Sequence, residues 1–141
     1  MTPRAMRRAY LREAAVILAL ARLAVHILPA NRVFAWADWP LRRVRRFETD
    51  QAEWVAWAVD HAATLPGMKA LCLPRALAAH AMLRRRGIAS RLCLGVANND
   101  GELAAHAWIE VGEKTLVGGG EAVAFQRLAT FGGRGATTGL P

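Results

Sequence analysis

Two runs of alternating apolar character, Ile88–Val96 and Ala104–Val111, flank Asn98-Asn99-Asp100-Gly101. Asn and Asp-Gly tolerate the left-handed backbone of a tight hairpin, so the two runs are expected to pair antiparallel. In the first run Ser90, Leu92, Leu94 and Val96 oppose Arg91, Cys93 and Gly95. In the second, Ala105, Ala107, Ile109 and Val111 oppose His106, Trp108 and Glu110. Gly112-Glu113 then turns into a third strand over Lys114–Val117. Gly118-Gly119-Gly120 forms a loop whose glycines permit unusual backbone angles or the close approach of a peptide. Ala122–Phe131 is a last element whose type the pattern leaves open.

Everything before this β region reads as helix. From Arg4 to Leu28, the residues Arg4, Arg8, Arg12, Ala15, Ala19, Arg22 and His26 fall within an arc of about 80° at 100° per residue. The remaining circumference is almost wholly apolar, which predicts a helix buried on most sides with a narrow basic stripe facing water. So wide an apolar face also suits a partner protein or an anionic membrane. Pro29 ends it. Asn31–Trp39 reads as a short helix or turn with Val33, Phe34, Trp36 and Trp39 in the core, and Pro40 breaks it. Leu41–Phe47 carries Arg42, Arg43, Arg45 and Arg46 beside an apolar stripe. Asp50 and Glu53 form a candidate capping box for a helix reaching about Thr64, with His61 at core-like spacing. Pro66-Gly67 is a turn.

The next helix carries the chemistry. Pro74 suits the first helical turn, Arg84, Arg85 and Arg86 suit the C-terminal end of the dipole, and Gly87 supplies the left-handed residue that stops it. Cys72 thus falls at or just before the first turn, where unpaired N–H groups favour a thiolate. His80, farther along, reads as structural, as does Cys93 within its strand. A cysteine at a helix N-terminus followed in the chain by a strand histidine, here His106, is the order used by papain-like and transglutaminase-like cysteine enzymes. Helices first and an antiparallel meander second make the fold class α+β.

A chain of 141 residues is expected to form one domain over residues 1–131. Its helical part is 1–66 and its catalytic core 67–131, with a flexible Gly/Thr-rich tail over 132–141. The net charge of +8, from 19 Lys+Arg against 11 Asp+Glu, admits an anionic membrane, nucleic acid or an acidic peptide as partner. Aromatic residues hardly interleave with the arginines, so nucleic acid is not expected and membrane association is the minority reading. Two cysteines and four scattered histidines form no zinc pattern, and no metal is expected. A Cys72–Cys93 disulfide is less favoured than two reduced thiols in the cytoplasm. The uncharged run Ala14–Ala21 is too short for a span and lacks a signal-peptide cleavage site.

Cys72-Leu73-Pro74-Arg75-Ala76-Leu77, the following Leu83-Arg84-Arg85-Arg86-Gly87-Ile88, and Ala105-His106-Ala107-Trp108-Ile109-Glu110-Val111 resemble the leader peptidase of lasso-peptide biosynthesis, a transglutaminase-like cysteine protease family. Gly118-Gly119 and Phe125–Ala129 are similar to its C-terminal end, so the resemblance spans roughly Leu11 to Phe131. It implies a papain-like core in which Cys72 attacks a peptide carbonyl, His106 passes the proton to the leaving amine, and water hydrolyses the thioester. Trp108 would wall the cleft or stack on the imidazole, with Gly118 and Gly119 near the substrate.

The family's third catalytic group resembles an Asp on the strand after the histidine, and Lys114–Gly118 contains none. Glu110 lies about 13 Å along the strand from His106, too far to orient it. Glu121 is the best substitute and Glu113 the second, leaving a Cys–His dyad or a weak triad. The resemblance further implies a precursor peptide as substrate, a separate small leader-binding protein, and an asparagine-synthetase-like cyclase that uses ATP. This chain itself is expected to bind no cofactor. A non-catalytic basic helical adaptor, or an acyl or amide transferase using the same Cys–His pair, are the alternatives.

Overall fold

The computed structural model describes residues 2–39, 49–67, 72–117 and 125–132. Among the described residues four helices precede a four-stranded antiparallel sheet: α1 (Pro3–Ile27), α2 (Ala30–Ala37), α3 (Thr49–Ala62), α4 (Cys72–Arg85), β1 (Arg91–Asn99), β2 (Glu102–Val111), β3 (Lys114–Thr115) and β4 (Gln126–Phe131). Strand order is β3-β2-β1-β4, an α+β arrangement. The open element Ala122–Phe131 thus contributes an edge strand over Gln126–Phe131, added to the far side of β1.

Local chemistry explains the boundaries. Thr2 caps α1, its Oγ1 accepting from Ala5 N–H at 3.2 Å, and Pro3 takes the position where a missing N–H costs nothing. At the end of α4, Gly87 adopts φ +71°. Its N–H donates to Arg84 O and Ile88 N–H to Leu83 O, both at 3.0 Å, the paired bonds of a Schellman cap. Asp100 (φ +52°) and Gly101 (φ +90°) make the hairpin, braced by Gly101 N–H to Asn98 Oδ1 at 3.0 Å. The strand preceding it starts at Arg91 rather than Ile88, because Gly87 and the cap hold the first residues off the sheet.

The core joins one face of the sheet to the helices. Leu92, Ala107, Ile109 and Val111 pack with Leu18, Val55, Val59, Leu77, Met82 and Leu83, all buried. α4 lies on β2, while α1 packs on both α3 and α4. The opposite face of β2 carries His106, Trp108 and Glu110.

Several expectations are corrected here. α1 is not buried on most sides: only Ala14 and Leu18 are fully covered, and Val16, Leu20, Leu23 and Ile27 are more than half exposed. The described helices number too few to surround a 25-residue helix. Trp36 and Trp39 lie at the surface instead of in the core, since α2 spends its buried face on Val33 and Ala37. α3 begins at Thr49, so Asp50 lies within its first turn and is not its cap. Glu53 is ion-paired with Lys114 instead of reaching back. His61 is exposed, its Nδ1–H donating to Trp57 O one turn back at 3.0 Å. Gly132, expected to begin a frayed tail, is buried at φ +84° with its N–H on Asp38 Oδ1 at 2.8 Å. The Arg42–Arg46 segment and residues 133–141 lie outside the described residues.

One polar cluster ties α1 to α4. Glu13 accepts from Arg85 at 2.8 Å and from Arg86 at 2.9 and 2.5 Å, and the Arg86 guanidinium lies 4.4 Å from the Tyr10 ring centre. Burial alone would raise the Glu13 carboxyl, but the Arg86 bond and charge, with Arg85, outweigh it and hold it below its ordinary value. Glu13→Ala leaves the largely buried Arg86 without its carboxylate and is expected to cost about 1–2 kcal/mol. Urea unfolding at pH 7 reads this as a lower midpoint with an unchanged slope. A midpoint equal to that of the unaltered chain would show the cluster to be energetically neutral.

Candidate active site

Cys72 is the first residue of α4, and its half-buried side chain packs against the helical core. The first N–H groups of a helix have no intrahelical partner, so this end offers donors and positive dipole to an anion. α4 packs on the Ala107, Ile109 and Val111 face of β2, so the helix of Cys72 neighbours the strand of His106, while the imidazole lies on the opposite face of that strand. Both cysteines are free thiols.

His106 is 6% exposed and pairs across the sheet with Gly95. Its ring is flanked by two aromatics: Trp108 at 6.0 Å between centres and 22° between planes, and Phe125 at 5.0 Å and 33°. Trp108 stacks on the imidazole, one of the two placements expected of it. The glycine opposite His106 is obligatory for this packing. A Cβ on Gly95 would come within 2.8 Å of the Trp108 ring and of Gln126 O. β4 accommodates the crowding with a bulge, its register shifting between Leu94 and Gly95 so that Leu128 is extra and turned to solvent.

Glu110 sits at the far end of the same face. Its carboxylate accepts from Trp108 Nε1–H at 3.0 Å, from Arg91 at 3.3 Å and from Arg127. Burial works against its ionisation, yet the Trp108 bond and the two guanidinium groups outweigh it and hold its pKa below the ordinary value. Cys93, paired with Trp108 on the neighbouring strand, is fully buried, and its thiol is pushed up to about 11, first by burial and then by the Glu110 charge.

The structure therefore brings His106 and Trp108 into ring contact, and places Cys72 at the start of the helix packed on their strand. Glu113 is exposed in the β2–β3 turn. Glu121, Gly118 and Gly119 lie outside the described residues. The link that sequence reasoning missed is Glu110 to Trp108. Alternation places the two on one face, but periodicity does not reveal that an indole N–H will reach a carboxylate two residues on. His80 is the other buried histidine, and it is structural: its Nε2–H donates to Ala37 O at 2.8 Å and its Nδ1 accepts from Ser90 Oγ at 2.6 Å. Among the described residues no group of three His, Cys, Asp or Glu side chains could hold a metal ion.

A second surface lies on the helical side. α1, α2 and α4 enclose an open apolar groove of about 730 Å³, lined by Val16, Leu20, Leu28, Trp36 and Leu77 together with Arg32, Arg84 and Arg85. Arg84 lies over the Trp36 ring at 5.9 Å. No helix among the described residues is long and apolar enough to cross a membrane.

The family model described as the transglutaminase-like superfamily matches residues 14–130, from the first buried position of α1 to the penultimate residue of β4. No curated protein and no solved structure matches the chain.

Proposed function

This chain belongs to the transglutaminase-like superfamily, and from that premise we propose that it is a cysteine peptidase that removes the leader from a ribosomally made lasso-peptide precursor. The observation that carries the reading is the family match over residues 14–130, with Cys72 opening α4 beside the strand of His106. The imidazole lies on the face of that strand away from α4, and the proposed reaction requires the two side chains to meet at the end of the helix. Family membership supports cysteine peptidase or transferase chemistry. The narrower lasso-peptide reading rests on the resemblance of the Cys72 and His106 segments.

In this mechanism the Cys72 thiolate attacks the carbonyl of the bond to be cut, forming an S–C bond and an oxyanion. Backbone N–H groups at the start of α4 are the natural donors to that oxyanion. Collapse breaks the C–N bond, and His106, carrying the thiol proton, gives it to the departing amine. Water then adds to the thioester with His106 as base, releasing the acid and restoring the thiol. An amine in place of water would give acyl transfer at the same pair. Glu121 remains the proposed orienting group of the imidazole, and Gly118 and Gly119 the proposed substrate-side backbone. No cofactor enters any of these steps, and ATP would belong to the partner cyclase.

Ordering a flexible leader against a small domain costs conformational entropy that few contacts offset. A separate leader-binding protein is therefore proposed to deliver the precursor, and the exposed apolar groove with its arginines supports docking there. The purified chain alone is expected to cleave a synthetic precursor slowly, and the leader-binding protein to raise the rate about tenfold or more by effective concentration. High salt should weaken that enhancement. Leu20, 59% exposed, can be changed without disturbing the core. Leu20→Glu is expected to remove the enhancement while leaving the slow partner-independent rate. Mass spectrometry of the released leader measures all four arms. Full-rate, salt-insensitive cleavage by the chain alone would place leader recognition here, and undiminished enhancement in the Leu20 variant would move docking off the groove.

A further inference from the structure

We propose that Glu110 is a positioning residue for the active-site histidine: by holding the Trp108 indole it fixes the plane on which the His106 imidazole stacks. The inference rests on the reading of Cys72 and His106 as the reacting pair. An imidazole that shuttles a proton must keep one ring orientation, and β3 (Lys114–Thr115), which pairs with Val111 and Glu110, carries no carboxylate of its own. Glu110 is four residues from His106 and cannot reach the ring itself. Trp108 stands halfway and spans the gap.

Each link is built. Glu110 accepts the indole N–H at 3.0 Å, which sets the rotation of the Trp108 ring. Arg91 and Arg127 hold the carboxylate in turn, and Arg127 also lies over the indole at 5.9 Å. Gly95 leaves the indole no slack, because its Cα hydrogen faces the ring where any side chain would collide. With Trp108 3% exposed and so confined, the imidazole is held between it and Phe125. Glu110 remains ionised at neutral pH, so the indole bond is charge-assisted. The same charge disfavours a thiolate at Cys93 behind the indole, keeping that sulfur out of the chemistry.

The test uses iodoacetamide as the probe of the pair, with the second-order rate of alkylation at Cys72 followed by peptide mapping across pH 5–9. His106 is followed separately, through its ring ¹H–¹⁵N signals. Glu110→Ala is expected to slow Cys72 alkylation near neutral pH about tenfold, to shift the His106 titration and tautomer signals, and to expose the Trp108 indole N–H to solvent exchange. Glu110→Gln keeps an acceptor and should restore most of the rate. Trp108→Phe keeps a stacking ring but has no N–H, so adding Glu110→Gln to it should change the rate no further. A merely structural Glu110 would lower the melting temperature without moving the His106 signals. Should Glu110→Ala not fold, the Gln and Phe variants and their combination decide the matter by the same readouts. Unchanged His106 signals and an unchanged rate in the Glu110 variants, or additive effects in the double variant, overturn the proposal. If instead His106→Ala leaves Cys72 alkylation unaltered, it is the Cys72–His106 reading that fails.

Discussion

Cys72→Ala is expected to abolish precursor cleavage, whereas Cys93→Ser keeps most of it. The two sulfurs differ in position and exposure. Cys72 begins a 14-residue helix, half-exposed, at the end where backbone N–H groups have no intrahelical partner. Cys93 lies mid-strand with no exposure, and its thiol is pushed up to about 11, so only on the order of a few molecules in ten thousand carry a thiolate at pH 7.5. Loss of a covalent nucleophile removes the reaction path itself, a loss on the order of a thousandfold or more. His106→Ala should fall nearly as far, because nucleophile and acid–base group act as a unit and their losses do not add. Cleavage is read by mass spectrometry, and alkylation mapping gives an independent order of reactivity with Cys72 first. Processing that survives Cys72→Ala, or Cys93 labelled before Cys72, would remove the assignment. Cleavage replaced by ligation when an added amine competes with water would instead favour the transferase reading.

What the sequence made legible was local. Pro74 and Gly87 bracket α4, Asp100-Gly101 sets the hairpin, and alternation puts His106 and Trp108 on one face. Each of these is decided by a residue's own backbone preference or by its period. Placement that depends on what remains uncovered was not legible. Trp36 and Leu20 carry an apolar signal indistinguishable from that of a core residue, yet both are turned outward because the described helices leave that side of α1 open. The type of Ala122–Phe131 stays open in the sequence because the pairing of β4 to β1 is non-local and is broken by a bulge. Gly132 was misread as tail for the same reason. Its constraint comes from Asp38, Ala37 and His80, all distant in the chain. At the site, the order Cys72 then His106 was readable, whereas the Glu110–Trp108 bond is a property of rotamers.

Folding stability is expected to fall as the pH drops from about 6.5 towards 4, with His80 as the principal cause. Wholly buried, His80 is held neutral between Ala37 O and Ser90 Oγ, with Gly132 against its ring and Trp36 edge-on at 5.8 Å. Burial above all, aided by the Arg84 charge and opposed by the Ala37 bond, brings its pKa down from 6.5 to about 4. The folded value lies below the unfolded one, so between these limits the unfolded chain binds a proton that the folded chain refuses, and stability rises with pH. The contribution is fully present above pH 6.5 and is lost as the pH falls to about 4. At about 1.4 kcal/mol per pKa unit the whole interval is worth roughly 3 kcal/mol, a large share of what holds a domain of this size together. Glu13 and Glu110, whose pKa values are lowered from 4.5, add their own losses only below that pH, so the decline between pH 6.5 and 5 isolates the histidine. Urea midpoints measured at half-unit steps should show this decline, and His80→Gln, though less stable at pH 7, should flatten it. A flat profile in the unaltered chain, or a slope that persists undiminished without the imidazole, would assign the acid sensitivity elsewhere.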